Sequence, residues 1–165
     1  MNRADDRAGE GAAIDPENPV AKLCAQGMEA EFAGRPGEAR DLFVRAWEAR
    51  ADDYDAAVAA HFVARHQATP AETLRWNQEA LARADAVGDE RVRGFYPSLY
   101  LNLGHSHEQL GDQDEACRFY GLAAAAATDL PLGPYSDTVR DGIARGLQRV
   151  AEKSGTDVTG SIKSQ

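Results

Sequence analysis

The histidines and cysteines are the residues of this sequence that could hold a metal ion. The chain has four histidines and two cysteines, and Cys24, His66 and His105 would supply three zinc ligands if the fold brought them together. Their spacing matches no metal motif, because CxxC, HxxxH and HExxH are absent, and the rings of His105 and His107 would lie about 200° apart on a helix. We therefore predict no metal site and no cofactor, with a metal held by these three residues as the alternative.

Motifs for nucleophilic catalysis and phosphate binding are also absent from the sequence. There is no GxSxG elbow, no papain-like cysteine context and no glycine-rich loop between a strand and a helix. The carboxylates of Glu29, Glu31 and Glu108 stand among other charged residues, as expected on solvated helix faces. The sequence predicts a protein without catalytic residues and without enzymatic activity.

The composition indicates one helical domain. The 165 residues are 43% hydrophobic and only 7% aromatic, and alanine is abundant. A core of small side chains suits closely packed helices and fills a β-sandwich poorly. Apolar residues recur at helical spacing, so we predict an all-α fold for residues 18–153, between disordered tails at residues 1–17 and 154–165.

The net charge and the lack of a long apolar stretch limit which partners the protein can bind and where it can be located. Eighteen Lys and Arg against 27 Asp and Glu give a net charge of −9, which repels nucleic acid and anionic lipid. The most apolar stretch, residues 122–127, is far shorter than the ~20 residues that span a bilayer, and residues 1–6 do not lead into a signal core. We predict a cytoplasmic protein that binds neither nucleic acid nor membrane. Its bias towards Ala, Arg, Asp and Gly is typical of GC-rich bacterial genomes.

Local motifs divide the domain into helices joined by short turns. Thr69, Pro70 and Glu72 form a capping box at the start of a helix. Gly111 favours the end of one helix in a left-handed conformation, and Asp112 favours the cap of the next. These breaks predict helical hairpins followed by one last helix.

A pattern of small and aromatic residues occurs three times. Its clearest copy consists of Tyr100, Leu103, Gly104, His107, Gly111, Ala116, Tyr120 and Ala123. An earlier copy with the same mutual spacings consists of Leu23, Gly27, Ala30, Gly34, Ala39, Phe43 and Ala46. A weaker copy between them has His61 where the others have glycine and Asn77 where they have an aromatic residue. The pattern resembles the tetratricopeptide repeat.

The resemblance implies a right-handed α-α superhelix, the solenoid of helical hairpins typical of that family. The repeats would occupy residues 20–53, 54–96 and 97–130, and a capping helix would occupy residues 136–153. The step from His61 to Gly104 exceeds the family period by about nine residues. We assign the insertion to residues 88–96 and expect Asp89 to cap a lengthened first helix of the third repeat.

The resemblance also implies a partner-binding site, because the first helix of each repeat lines a concave surface in this family. The residues predicted to face that surface are Met28, Phe32, Val58, Phe62, Arg65, His66, Leu101, Asn102, His105 and Glu108. We predict that Met28, Phe62 and Leu101 anchor the apolar face of a peptide or amphipathic helix, and that the polar members orient it. The cationic clamp by which some family members grip a terminal carboxylate is absent. The acidic surroundings favour a protein partner with basic flanks.

Other interpretations of the same surface stay open. The chain's own terminal helix could fill the groove around Met28, Phe62 and Leu101, or a second copy could occupy it in a homo-oligomer. Phe95 and Tyr96 could form an exposed ledge or lie buried between repeats. The main prediction is a non-enzymatic scaffold or adaptor. The alternative is a regulatory protein that responds to a small ligand or a metal in the same groove.

Overall fold

The computed structural model describes residues 15–160, with side chains described to residue 155. Within that range the chain forms eight α-helices and no strand, which confirms the predicted all-α fold. The helices are α1 Pro19–Phe32, α2 Pro36–Glu48, α3 Asp53–Val63, α4 Pro70–Val87, α5 Glu90–Arg93, α6 Tyr96–Gln109, α7 Gln113–Ala126 and α8 Pro134–Gly160.

Part of each predicted tail lies within the described residues. Of those tails, residues 1–14 and 161–165 lie outside the described residues. The last helix, α8, continues to Gly160, beyond the predicted end of the capping helix at residue 153.

The helix starts follow the predicted caps. The Thr69 hydroxyl accepts a hydrogen bond from the Glu72 backbone N–H at 3.2 Å and donates to the Glu72 carboxylate at 3.1 Å. The Asp112 side chain accepts from the backbone N–H of Glu115 at 3.2 Å. Gly111 has φ +82°, in the left-handed region where a side chain would be strained. These three positions fix where α4 and α7 begin and where α6 ends.

The helices pack mainly as consecutive hairpins. The pairs α1 with α2, α3 with α4, and α6 with α7 make the largest contacts, and α8 packs on both helices of the third pair. Neighbouring pairs meet through α1 and α2 on α3, and through α4 on α6. This arrangement places α3 and α6, the first helices of the second and third pairs, on either side of the candidate site.

Glycine sets the distance between the helices of the outer hairpins. A Cβ added at Gly27 would overlap the ring of Phe43, and one at Gly104 would lie 2.7 Å from Cδ1 of Tyr120. Both aromatic rings are fully buried, so neither can move aside. The two matched copies of the sequence pattern therefore have the same packing: a glycine on the first helix receives an aromatic ring from the second.

The inserted segment differs from the prediction. Asp89 caps a separate short helix, α5, and α6 begins only at Tyr96, so the first helix of the third pair is not lengthened. The reason is Pro97. In an uninterrupted helix, the ring of Pro97 would clash with the carbonyl of Arg93, and one helical hydrogen bond would be lost. In the first turn of a helix, proline is well tolerated.

Candidate functional site

The first feature of the site is a cavity of about 410 Å³ between α3 and the start of α6, which we call the apolar cavity. The segment that joins α7 to α8 closes one side of it. Its lining is mostly apolar and includes Ala57, Val58, Phe62, Phe95, Leu99, Leu130, Pro131 and Tyr135. A cavity of this size and character accepts one or two apolar side chains from a ligand.

Aromatic contacts hold the walls of the apolar cavity in place. The ring of Phe62 stacks on Phe43 at a centroid distance of 5.1 Å, and the ring of Phe95 lies 5.7 Å from that of Tyr54. The Tyr135 hydroxyl donates to the Gly94 carbonyl at 3.2 Å, which joins the start of α8 to the insert. Phe95 is thus half-buried in a cavity wall, so the aromatic pair of the insert is not a free ledge.

The second feature is a cavity of similar size, about 410 Å³, on the other side of His61; we call it the polar cavity. It lies between the loop that joins α3 to α4 and the second half of α6. It is lined by His61, Ala64, Arg65, Gln67, Ala68, Thr69, Pro70, Thr73, Asn77, Asn102, His105, Ser106 and Gln109. Most of these side chains carry amides, hydroxyls or imidazoles.

Four polar side chains form the floor of the polar cavity. Nδ1 of His61 lies 3.3 Å from Nδ2 of Asn102, and Nδ2 of Asn77 donates to the Ser106 hydroxyl at 2.9 Å. Oδ1 of Asn77 is buried and has no hydrogen-bond partner. Burial, helped by the charge of Arg65, lowers the pKa of His61 to about 4. His61 is therefore neutral at pH 7, and its Nδ1 accepts the Asn102 amide proton.

The structure brings some predicted site residues together. Val58 and Phe62 line the apolar cavity, and Arg65, Asn102 and His105 line the polar one. Arg65 is also engaged by Glu31, whose carboxylate lies 2.9 Å from the guanidinium. These five residues lie on α3, on the turn that follows it and on α6, and the two cavities that they line share His61.

Other predicted residues lie elsewhere or are already paired. Met28 is 43% exposed and Phe32 97% exposed on α1, and neither lines the apolar cavity or the polar cavity. His66 contacts the Glu31 carboxylate at 2.6 Å, so it holds α1 against the end of α3. The ring of His66 also stacks on Phe43, which stacks on Phe62, so His66 and Phe62 lie beside the same ring. That Met28, Phe32 and His66 contact a partner together with Phe62 and Leu101 stays a prediction.

The chain's own terminal helix, α8, covers Leu101 and Glu108. Leu101 packs against α8, where its Cδ2 would be 2.9 Å from a Cβ at Gly142. The side chain of Glu108 is only 7% exposed and bonds to Arg149 and Lys153 of α8. Both residues were predicted to contact a partner, and in the structure they contact α8 instead.

The metal alternative finds no support in this geometry. Within residues 15–155, no group of three or more His, Cys, Asp and Glu side chains could hold a metal ion. Cys24 is buried among apolar residues, and this burial, with the nearby charge of Asp55, raises the pKa of its thiol to about 12. His105 instead contacts Gln109 at 3.1 Å.

Several cavity residues were not predicted from the sequence. Asn77 and Ser106 form the floor of the polar cavity, and Leu130 and Tyr135 complete the apolar one. One sequence feature did indicate the polar cavity. The middle copy of the pattern has His61 and Asn77 where the other two copies have a glycine and an aromatic residue. No pattern pointed to the segment before α8, since its place over α3 depends on how α8 docks.

No protein-family model, curated protein or solved structure matches this chain. Among the described residues, no helix has the length and apolar character needed to cross a membrane. The site's own geometry is therefore the basis for a functional assignment.

Proposed function

We propose that this chain is a tetratricopeptide-like right-handed superhelix that acts as a non-enzymatic protein-interaction module. Its partner presents an apolar peptide or one face of an amphipathic helix to the concave surface. The observation that carries the proposal is the apolar cavity between α3 and α6, which Val58 and Phe62, two of the residues predicted to contact a partner, help to line. The glycine and aromatic pairs at Gly27 and Gly104 support the repeat architecture.

The cavity suits an apolar anchor because its walls are preformed. Rings that already stack lose little freedom when a ligand arrives, so less of the binding energy is spent on ordering them. Burial of one Leu or Phe side chain contributes about 1.5–3 kcal/mol. One anchor alone gives weak binding, and further contacts along the surface would supply the rest.

The net charge of the whole chain favours a partner with basic flanks. The charges at the cavity itself balance, because Arg91 is paired with Asp89 at 2.8 Å and Glu90 with Arg93 at 2.5 Å. The net charge of −9 attracts cationic segments and repels nucleic acid and anionic lipid. We accordingly propose a cytoplasmic role with a protein partner.

Substitution of Gly94 tests the proposal. Gly94 lines the apolar cavity, has φ −69°, and a Cβ there meets no atom within 4 Å, so Gly94→Trp introduces a large ring without backbone strain. Gly121 on α7 is the matched control, since it is exposed and equally open. Peptides would be selected from a displayed random library on the wild-type chain and measured on both variants.

We expect the selected peptides to share apolar anchors next to basic residues. Their affinity should fall at least about tenfold in Gly94→Trp, a loss of one buried anchor, and stay unchanged in Gly121→Trp. Equal binding to both variants, or no enriched peptide at all, would contradict binding at the apolar cavity.

A further inference from the structure

The segment that joins α7 to α8 presents a leucine to solvent beside the apolar cavity. We call residues 130–135 of this segment the rim loop. Leu130, Pro131 and Tyr135 of the rim loop line the apolar cavity, whereas Leu132 is 91% exposed. Tyr135 is itself 52% exposed. Exposed apolar side chains next to an apolar cavity form the kind of patch that marks an interaction site.

The rim loop is held at both ends. The guanidinium of Arg140 donates to the Leu130 carbonyl at 3.0 Å, and the Tyr135 hydroxyl donates to the Gly94 carbonyl at 3.2 Å. Leu130 has φ −67° and ψ 134°, the extended conformation that precedes a proline. The two prolines of the loop fix their own φ angles. Leu132 is therefore presented by a stiff loop, and little conformational freedom is lost when another surface buries it.

The charges beside the apolar cavity suit contact with a second copy of the chain. A net charge of −9 makes two copies repel each other on average. At this place, however, Asp89 pairs with Arg91 at 2.8 Å and Glu90 pairs with Arg93 at 2.5 Å, so the local charges cancel. All four side chains are about half-exposed or more. The carboxylates of one copy can therefore pair with the guanidinium groups of another.

The position of Leu132 beside the cavity also suits a symmetric dimer. Two-fold symmetry requires each copy to use the same surface, so a group that is buried and the cavity that buries it must lie on one face. Leu132 and the apolar cavity meet this condition, since the rim loop contributes to both. The cavity of about 410 Å³ has room for a leucine side chain.

We propose that two copies of this chain form a symmetric dimer in which Leu132 of each copy fills the apolar cavity of the other. Both contacts are used within the pair, so the assembly closes at two copies. The dimer rests on the proposed function, because the same cavity binds a partner peptide. It keeps that cavity covered until a peptide displaces the second copy.

Sedimentation equilibrium of the full chain tests the dimer at concentrations from about 1 µM to about 1 mM. We expect the wild type to change from monomer to dimer in this range. Leu132→Ser should weaken the dimer at least about a hundredfold, because one buried leucine is lost from each copy. Phe32→Ser is the matched control, since Phe32 is 97% exposed on α1, and it should dimerise as the wild type does. Circular dichroism checks that both variants keep their helices.

A mixture of two variants tests the pairing of leucine with cavity. Gly94→Trp fills its own cavity but keeps Leu132, whereas Leu132→Ser keeps an open cavity. Mixing them restores one of the two contacts, so we expect the mixed pair to bind at least about tenfold more tightly than either variant binds itself. A fluorophore on the exposed thiol of Cys117 reports this binding by anisotropy, and Cys24 is buried.

Three results would each overturn the dimer: a wild type that stays monomeric, a dimer that Leu132→Ser does not weaken, or equal weakening by Phe32→Ser. The peptides selected for the apolar cavity separate this proposal from the proposed function. Leu132→Ser keeps its cavity and should bind those peptides at least as tightly as the wild type. Peptide binding without dimerisation would overturn the dimer alone. Dimerisation through Leu132 with no enriched peptide would contradict the peptide-binding function alone.

Discussion

Glu108 illustrates how one side chain can change its role once neighbours are present. On an isolated helix it would be a solvated carboxylate facing a groove, as the sequence pattern predicts. In the structure it is buried, accepts from the Tyr120 hydroxyl at 2.7 Å and bonds to Arg149 at 2.9 Å. These contacts, led by Arg149, lower the pKa of Glu108 from 4.5 to about 2. Its charge stabilises the docking of α8.

Glu108→Gln should therefore destabilise the protein at neutral pH. We expect the free energy of unfolding to fall by about 1–2 kcal/mol, a modest value because Arg149 is half-exposed and partly screened by solvent. The pKa of Glu108 is lower in the folded chain, so its contribution is complete above about pH 4.5 and is lost as the pH falls towards 2.

Urea unfolding at a series of pH values measures both effects. The difference between wild type and Glu108→Gln should be constant near neutrality and shrink on acidification. Glu29→Gln, at an exposed position of α1, is the control and should show no such difference. A difference that persisted at pH 2 would contradict this account of Glu108.

The helical hairpins depend on small residues where two helices cross. Gly27 and Gly104 each receive an aromatic ring. The ring of Tyr120 also contacts Gly146 of α8, where an added Cβ would lie 2.5 Å from Cε1 and Cζ of that ring. Tyr120 is therefore held between α6 and α8. The same packing that closes a hairpin also attaches the terminal helix.

Gly27→Ala and Gly104→Ala should both be destabilising, because the added methyl overlaps a buried ring. We expect a loss of about 1–3 kcal/mol for each, the usual cost of overpacking. Gly121→Ala, on the open face of α7, should instead stabilise by about 0.5–1 kcal/mol, since alanine is the better helix former. Thermal or urea unfolding measures all three, and equal effects at the three sites would argue against the ring contacts.

For the molecule as a whole, α8 acts as the closing layer of the third hairpin. Val139, Ile143 and Val150 of α8 are buried against α6 and α7. Without this helix, Leu101 and Tyr120 would face water. A stack of helical pairs needs such a final layer, because each pair buries only the faces that touch a neighbour.

A chain that ends at Leu132 should accordingly lose the order of its third hairpin. We expect faster amide hydrogen exchange in α6 and α7 and increased binding of a dye that detects exposed apolar surface. A chain that ends at Gly155 keeps Val139, Ile143 and Val150 and serves as the control. Unchanged exchange in α6 after the longer deletion would show that α8 is not required.

The sequence by itself determined the helical class and the contacts within hairpins. Abundant alanine, the caps at Thr69 and Asp112 and the glycine and aromatic spacing are local properties, because each depends on residues close together in the chain. The pattern also indicated α1, α3 and α6 as the helices of the site, and of these α3 and α6 line the two cavities. The repeat family and its superhelical handedness stay predictions.

Only the tertiary structure decided which residues a ligand can reach. Leu101 and Glu108 lie on the predicted face, yet α8 covers them, and this depends on a contact between residues about forty positions apart. Asn77 and Ser106 meet across two hairpins, so neither stands out within its own helix. Exposure and cavity shape arise from the way whole helices pack together, a property that no single helix contains.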